Sequence, residues 1–305
     1  MDQAQEAARR LSGPRLPSYD TRAAAGLLLP IALVLALVVA FPIAYSLYTS
    51  FFSLKLTRPQ RVPFVGLDNY VEILGSDLFW ISVARTATFT VMAVTAITVL
   101  ALLTALLLNE TFRGRRLLAA MVLVPWAIPT VANGLMWKWI YDESFGALNG
   151  VLLQLGIIAK PLVWLGDPRK TLALVANAYV WRAVPLATIL LLVTMKSIPD
   201  VLYRAAKVDG ANVWQRLLHI TLPALRPGLV MVLIFETMLA IRHFDLFFIL
   251  TSGGPGDASH VAAWHVYVES FRNLSFGMGS ALAYLMALAT FGIAYAVIRT
   301  LGRRV

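Results

Sequence analysis

Cysteine is absent from all 305 residues, so no disulfide framework, thiol nucleophile or thiolate metal site is available. Charge is scarce as well: 14% of residues are Asp, Glu, Lys or Arg, against about 25% in an ordinary soluble domain. There is no Gly-x-x-x-x-Gly-Lys-Ser/Thr loop, which excludes ATP binding by that route on this chain. The lack of a Gly-x-Ser-x-Gly elbow or an embedded catalytic pair argues against an intramembrane hydrolase. His219, His243, His260 and His265 lack the i, i+4 spacing of a zinc helix and read as interface or loop residues. Alternating segments of about ten residues, the mark of an outer-membrane barrel, are also missing.

Apolar length is what the chain has in abundance. Hydrophobic residues make up 59% of it, and crossing a hydrocarbon core takes about 20 of them in a helix. Stretches 25–50, 81–108, 118–140, 171–195, 224–250 and 276–300 qualify. Lipid offers the backbone no hydrogen bonds, so the expected fold is all-α and integral to the membrane, with six transmembrane helices. The first stretch continues through Pro42 towards Phe52, too long for a cleavable leader, and is expected to be retained. Two regions follow from this: an N-terminal tail 1–24 and a membrane domain 25–305.

The net charge of +10 raises nucleic acid as a partner, but its distribution points elsewhere. With a cytoplasmic N-terminus and six crossings, the inner segments hold 15 Lys and Arg residues, from Arg9 to Arg304, and the outer segments 8. That imbalance places both termini in the cytoplasm. It makes the basic excess a topology signal.

Punctuation subdivides the apolar chain. Asp68 stands where it would cap a short helix through Leu74. Pro125 and Pro129, either side of Trp126, remove two backbone bonds from the third stretch, which must kink; this is a possible gate or plain curvature. Trp264, Tyr267 and Phe271 suit a helix lying at the membrane interface.

Charges at membrane depth are costly and face an interior or a watery cavity. Glu236 lies mid-way along the fifth stretch and Arg182 within the fourth, with Tyr179 one turn before it; Arg242, His243 and Asp245 come nearer the outer end. A cavity lined by aromatics and a few charges suits a polyhydroxylated solute. The competing reading is an internal Arg–Glu pair that never touches a solute.

Residues 203–223 form a polar, basic island between the fourth and fifth stretches. Arg204, Ala205, Ala206, Asp209, Gly210, Ile220, Leu222 and Pro223 predict a short helix, a glycine turn, a second short helix and a proline restart into the membrane. So ordered a cytoplasmic loop, spanning 197–223, is built to be gripped.

These residues resemble the permease subunit of bacterial ABC importers of the carbohydrate-uptake class, related to the maltose permeases. The family signature is Glu-Ala-Ala, three residues, Gly, nine residues, Ile, one residue, Leu-Pro, and Ala205, Ala206, Gly210, Ile220, Leu222 and Pro223 match its spacing. Phe64–Tyr70, Leu123–Pro129, Ser197-Ile198-Pro199 and Phe244-Asp245 followed by Leu250–Pro255 look like the same class. The resemblance implies an ABC type I importer permease fold in the bacterial inner membrane, surrounded by lipid. It implies a second homologous permease subunit, two ATPase subunits docked on the island and an external solute-binding protein. ATP and Mg would sit on the ATPases, leaving this chain non-catalytic and without a cofactor, and nucleic acid would not be a partner. The implied cargo is a mono- or oligosaccharide; glycerol-phosphate or another anionic polyol is the alternative, and a membrane-embedded enzyme a more distant one. By the same resemblance Tyr179, Arg182, Glu236, Leu239 and Ala240 fall near the solute path. One position departs: Arg204 stands where the family has Glu.

Overall fold

The computed structural model describes residues 21–301 and is built of helices and connecting turns. It divides into two units, the first ending at Thr49 and the second beginning at Ser50. In the first, α1 (Thr21–Leu35) and α2 (Phe41–Ser50) are joined by a π-helical turn, Ala36–Ala40. The helix opens at Thr21, inside the region expected to be tail; residues 1–20 of that tail and Arg303 and Arg304 lie outside the described residues. Within it, Leu28–Ser50 is long and apolar enough to cross a bilayer.

The π turn has a local cause. Phe41 N–H reaches Ala36 O, five residues back, immediately before Pro42. Proline cannot donate a backbone bond, so the ladder is already short there and a wider turn costs little. The same device recurs below at Leu222-Pro223.

The second unit is organised around two long helices, α4 (Asp77–Asn109) and α8 (Pro168–Lys196). Before them lies α3 (Asp68–Leu74). Asp68 is its first helical residue; the N-cap position is Leu67, with no side-chain cap, so the expected capping role is not filled. Its carboxylate still suits the positive end of the helix dipole. Asn69 anchors the segment, donating to the carbonyls of Ser50 and Phe52 at 2.7 and 3.1 Å. At the start of α8, Asp167 accepts from Arg169 N at 2.9 Å and pairs with Lys170 at 3.2 Å. Those two contacts hold its carboxyl below the usual range.

α4 buries Phe89, Ala93, Ile97, Ala101 and Ala105, each four residues after the one before and so along one slowly turning face. α8 answers with Val175, Ala178, Ala187 and Leu191. Alanine at the seam lets two backbones approach closely where dispersion and close packing drive association in place of the hydrophobic effect. α12 (Arg226–Ile241) packs against both. There a Cβ on Gly228 would come within 2.6 Å of Thr194 Oγ1, so this crossing needs glycine.

Among the described residues, four helices are long and apolar enough to span, and six if each of two bent pairs counts as one. The first pair is α5 (Arg115–Ala127) with α6 (Thr130–Ile140), bent by 98°. Ile128, before Pro129, is extended at φ −75°, ψ 128°, the conformation proline imposes on its predecessor. After α7 (Ala147–Gln154) and α8, the second pair is the end of the polar island with α12, bent by 63°. The expected span 224–250 is not one helix: α12 stops at Ile241 and resumes later as a short one, Asp245–Leu250. In a continuous helix His243 would point about 100° from Arg242 and about 160° from Asp245; with the break, all three line one cavity. Ala262–Tyr267 and a final helix, Phe276–Leu301, complete the unit.

Candidate functional site

A cavity of about 310 Å³ opens where the broken third span, α8 and the end of α12 meet. Trp126 and Thr130 approach it from either side of the break, and Tyr179, Arg182, Ala183 and Leu186 line it from α8. Glu236, Leu239 and the Arg242–Asp245 break complete the wall. Tyr179 and Arg182, three apart, share a helix face as expected.

Glu236 is 1% exposed and accepts a hydrogen bond from the Tyr179 hydroxyl at 3.3 Å. Arg182 does not pair with it. Its Nε donates instead to the carbonyl of Ile128 at 2.8 Å. That carbonyl belongs to neither α5 nor α6, and no described backbone N–H reaches it. Left bare in an apolar interior it would cost about 1–3 kcal/mol. In place of the Arg–Glu pair of the competing reading, the structure has two separate bonds, each linking different elements.

Aromatic rings support the site. Tyr179 sits 5.5 Å from Phe89 and 4.7 Å from His243, ring centre to ring centre. Phe89 meets Phe247 edge to face at 4.9 Å. His243, read from sequence as an interface or loop residue, lines the cavity, and its Nε2 is buried with no hydrogen-bond partner among the described residues. The sequence signal for it is its place at membrane depth beside Arg242 and Asp245; histidine spacing carries none. Leu239 lines the cavity, whereas Ala240, expected with it, is packed in the core at 1% exposure and is not part of the lining. Adjacent residues on a helix point about 100° apart, and here that turn carries Ala240 into the core. Pro125 lies within α5 and Pro129 at the N-cap of α6, where they make the break rather than line the space.

The polar island is a second, separate feature. α9 (Asp200–Val208) ends in a Schellman turn: Ala211 N–H bonds Ala206 O at 2.8 Å and Gly210 N–H bonds Lys207 O at 3.2 Å. Gly210 sits at φ +79°, a conformation that costs other residues about 1–2 kcal/mol. α10 (Val213–Arg216) opens with a capping box between Asn212 and Gln215. A π turn, Leu217–Thr221, then leads into α11 (Leu222–Ala224). The Tyr203 and Thr221 hydroxyls, 2.9 Å apart, tie the two halves together.

The restart expected at Pro223 falls slightly later. Pro223 lies inside α11, the chain bends at Leu225, and Pro227 occupies the first turn of α12, where a missing N–H is harmless. Arg204, Ala205, Asp209, Gly210 and Pro223 are exposed, and Ala206, Ile220 and Leu222 are half-buried. The island also exposes Val208 and Trp214, at 88% and 72%. Apolar groups so displayed on an ordered, charged surface mark an interaction face.

With that geometry in view, the relatives are informative. Residues 97–304 match the family model described as binding-protein-dependent transport system inner membrane component. The trehalose/maltose transport system permease protein of Thermococcus litoralis is 40% identical over 236 residues, 76% of this chain and 79% of that one. The sulfoquinovosyl glycerol transport system permease protein of Agrobacterium fabrum is 34% identical over 267 residues, 88% and 86% of the two chains. Among solved structures, a chain of the bacterial alginate ABC transporter, in complex with alginate pentasaccharide-bound periplasmic protein, superposes with a TM-score of 0.80. It shares 20% identity over 92% of this chain and 94% of that one, which speaks to fold alone. The chain is thus a multi-pass membrane protein and belongs to the family of binding-protein-dependent transport system inner membrane components.

Proposed function

We propose that this chain is one permease subunit of an ABC importer that takes a sugar from an external binding protein and releases it into the cytoplasm. The observation that carries the reading is the cavity at the broken third span. It joins hydrogen-bonding groups (Tyr179, Glu236, Arg182) to Trp126 and a backing of buried rings. A sugar needs both kinds of wall: directional partners for its hydroxyls and flat apolar surface for its ring. The solutes in the relatives' names, trehalose/maltose and sulfoquinovosyl glycerol, support the class.

The rest of the machine follows from the family. A second, homologous permease completes the path, and two ATPase subunits, which carry the ATP and Mg, dock on the island at 197–223. The distribution of Lys and Arg supports cytoplasmic termini and a cytoplasmic island. Nucleotide-driven closure of the ATPases pulls the island, and the spans alternate between outward and inward access. Trp126 and the Pro125–Pro129 break stand where a gate would move. The test is uptake in proteoliposomes holding the permease pair, the ATPase and the binding protein, against a panel of mono- and oligosaccharides. Wild-type uptake by both Glu236→Gln and Glu236→Ala would remove that residue from the path.

An anionic sugar or polyol is the second reading. Arg182 and Arg242 both line the cavity, and a guanidinium recognises a sulfonate, carboxylate or phosphate by two parallel bonds. Competition of uptake by neutral and acidic sugars separates the two.

A further inference from the structure

We propose that Arg182 is a positioning residue that couples occupancy of the cavity to the bend in the third span. The inference rests on the transport reading above and adds to it a link between solute and helix break. Two observations meet at one side chain. Arg182 lines the cavity, and its Nε is committed to the Ile128 carbonyl at 2.8 Å, inside the two-residue gap between α5 and α6.

The chemistry of the guanidinium makes this more than a structural tie. Its five N–H donors lie in one rigid plane. One is used by the break, and the four on Nη1 and Nη2 bond no described residue. The end-on face of the fork is thus left to a ligand, while the same plane is fixed by Ile128. A solute presenting a pair of oxygens, as a vicinal diol or an acid group does, would fix that plane further and hold the carbonyl where it is. Solute therefore favours the bent third span, and the bent span favours solute, because coupling between two sites is reciprocal. Lysine cannot substitute: a single ammonium on a flexible stem satisfies the carbonyl or the solute in one geometry, not both.

Absence of cysteine makes the bend directly measurable. Leu117 on α5 and Leu135 on α6 are both exposed; converted to Cys and spin-labelled, they report the distance across the break in the assembled transporter. The proposal expects one narrow distance population that narrows or shifts when loaded binding protein is added. Arg182→Lys should broaden it without solute and abolish the response, with the KM for uptake raised about tenfold. Pro129→Ala restores a backbone donor at the break and should have a similar effect. Combined, the two should cost no more than either alone, since both act through one element. Effects on KM that multiply in the double variant, or an unchanged distance population in Arg182→Lys, would overturn the proposal. Should wild type respond to no sugar while Arg182→Lys still broadens the distances, the transport reading fails and the tie to the break stands.

Discussion

The polar island and the cavity are made by opposite kinds of interaction. In the island nearly every bond joins residues five or fewer apart: the Schellman turn at Gly210, the Asn212–Gln215 box, the Arg216 bond to Ala211 O. Tyr203 to Thr221, 18 apart, is the long exception. In the cavity the defining bonds are distant: Tyr179 to Glu236 across 57 residues and Arg182 to Ile128 across 54. A site built locally is a module that can be damaged without touching the spans. A site built from remote partners fails only with the fold, or with the single side chain that bridges it. In the transporter proposed above, the difference separates the ATPase contact from the solute contact within one chain.

The sharpest way to break that separation is at Glu236. Glu236→Ala leaves the buried Tyr179 hydroxyl without its acceptor, at about 1–3 kcal/mol, and removes a wall group. Uptake is expected to fall by about two orders of magnitude, while co-purification with the ATPase stays at wild-type level. Loss of ATPase association would show that the two regions are not independent.

The converse test is Gly210→Val. A β-branched residue at φ +79° costs at least the 1–2 kcal/mol of the left-handed conformation and should unwind the turn after α9. Uptake and transport-linked ATP hydrolysis should drop about tenfold or more, with solute-induced distance changes across the third span retained.

Charge at the island is a finer probe. Arg204 is exposed and stands where the signature has Glu, so the ATPase surface facing it is expected to be acidic. Arg204→Glu should weaken coupling several-fold more than Arg204→Ala; rim charges act mainly on association and its salt dependence. Equal transport-linked hydrolysis in both would remove the electrostatic contact.

Smallest of all is Asn212→Ala. It deletes one half of the capping box, about 1 kcal/mol, and should lower the affinity for the ATPase by a few-fold. Hydrogen exchange at the N–H of Gln215 reads the loss at its source.

Legibility in the sequence followed the same division. The short helix, glycine turn and second helix were readable because Gly210, Asn212 and the Ala205-Ala206 pair state their local conformations directly. The kink in the third span was readable from Pro125 and Pro129, but not its 98°, which depends on what α6 packs against. Restart at Pro223 was misplaced by a few residues, since proline is compatible both with the end of α11 and with the first turn of α12. Around the cavity, Tyr179, Arg182, Glu236 and Leu239 stood out as costly or well-placed groups at membrane depth. The burial of Ala240 in the core and the break after Ile241 did not, because helix phase and helix ending there are set by neighbours.

By itself the sequence determined that the chain crosses the membrane repeatedly, and where its cytoplasmic face is expected to be gripped. Both are properties of runs and short offsets: apolar length must match bilayer thickness, and glycine, proline and capping residues act on their own backbone. Only the tertiary structure decided which charge meets which partner. Arg182 took an orphaned carbonyl and Glu236 took a tyrosine because, in an interior without water, every polar group bonds whatever the packing of distant helices brings within reach.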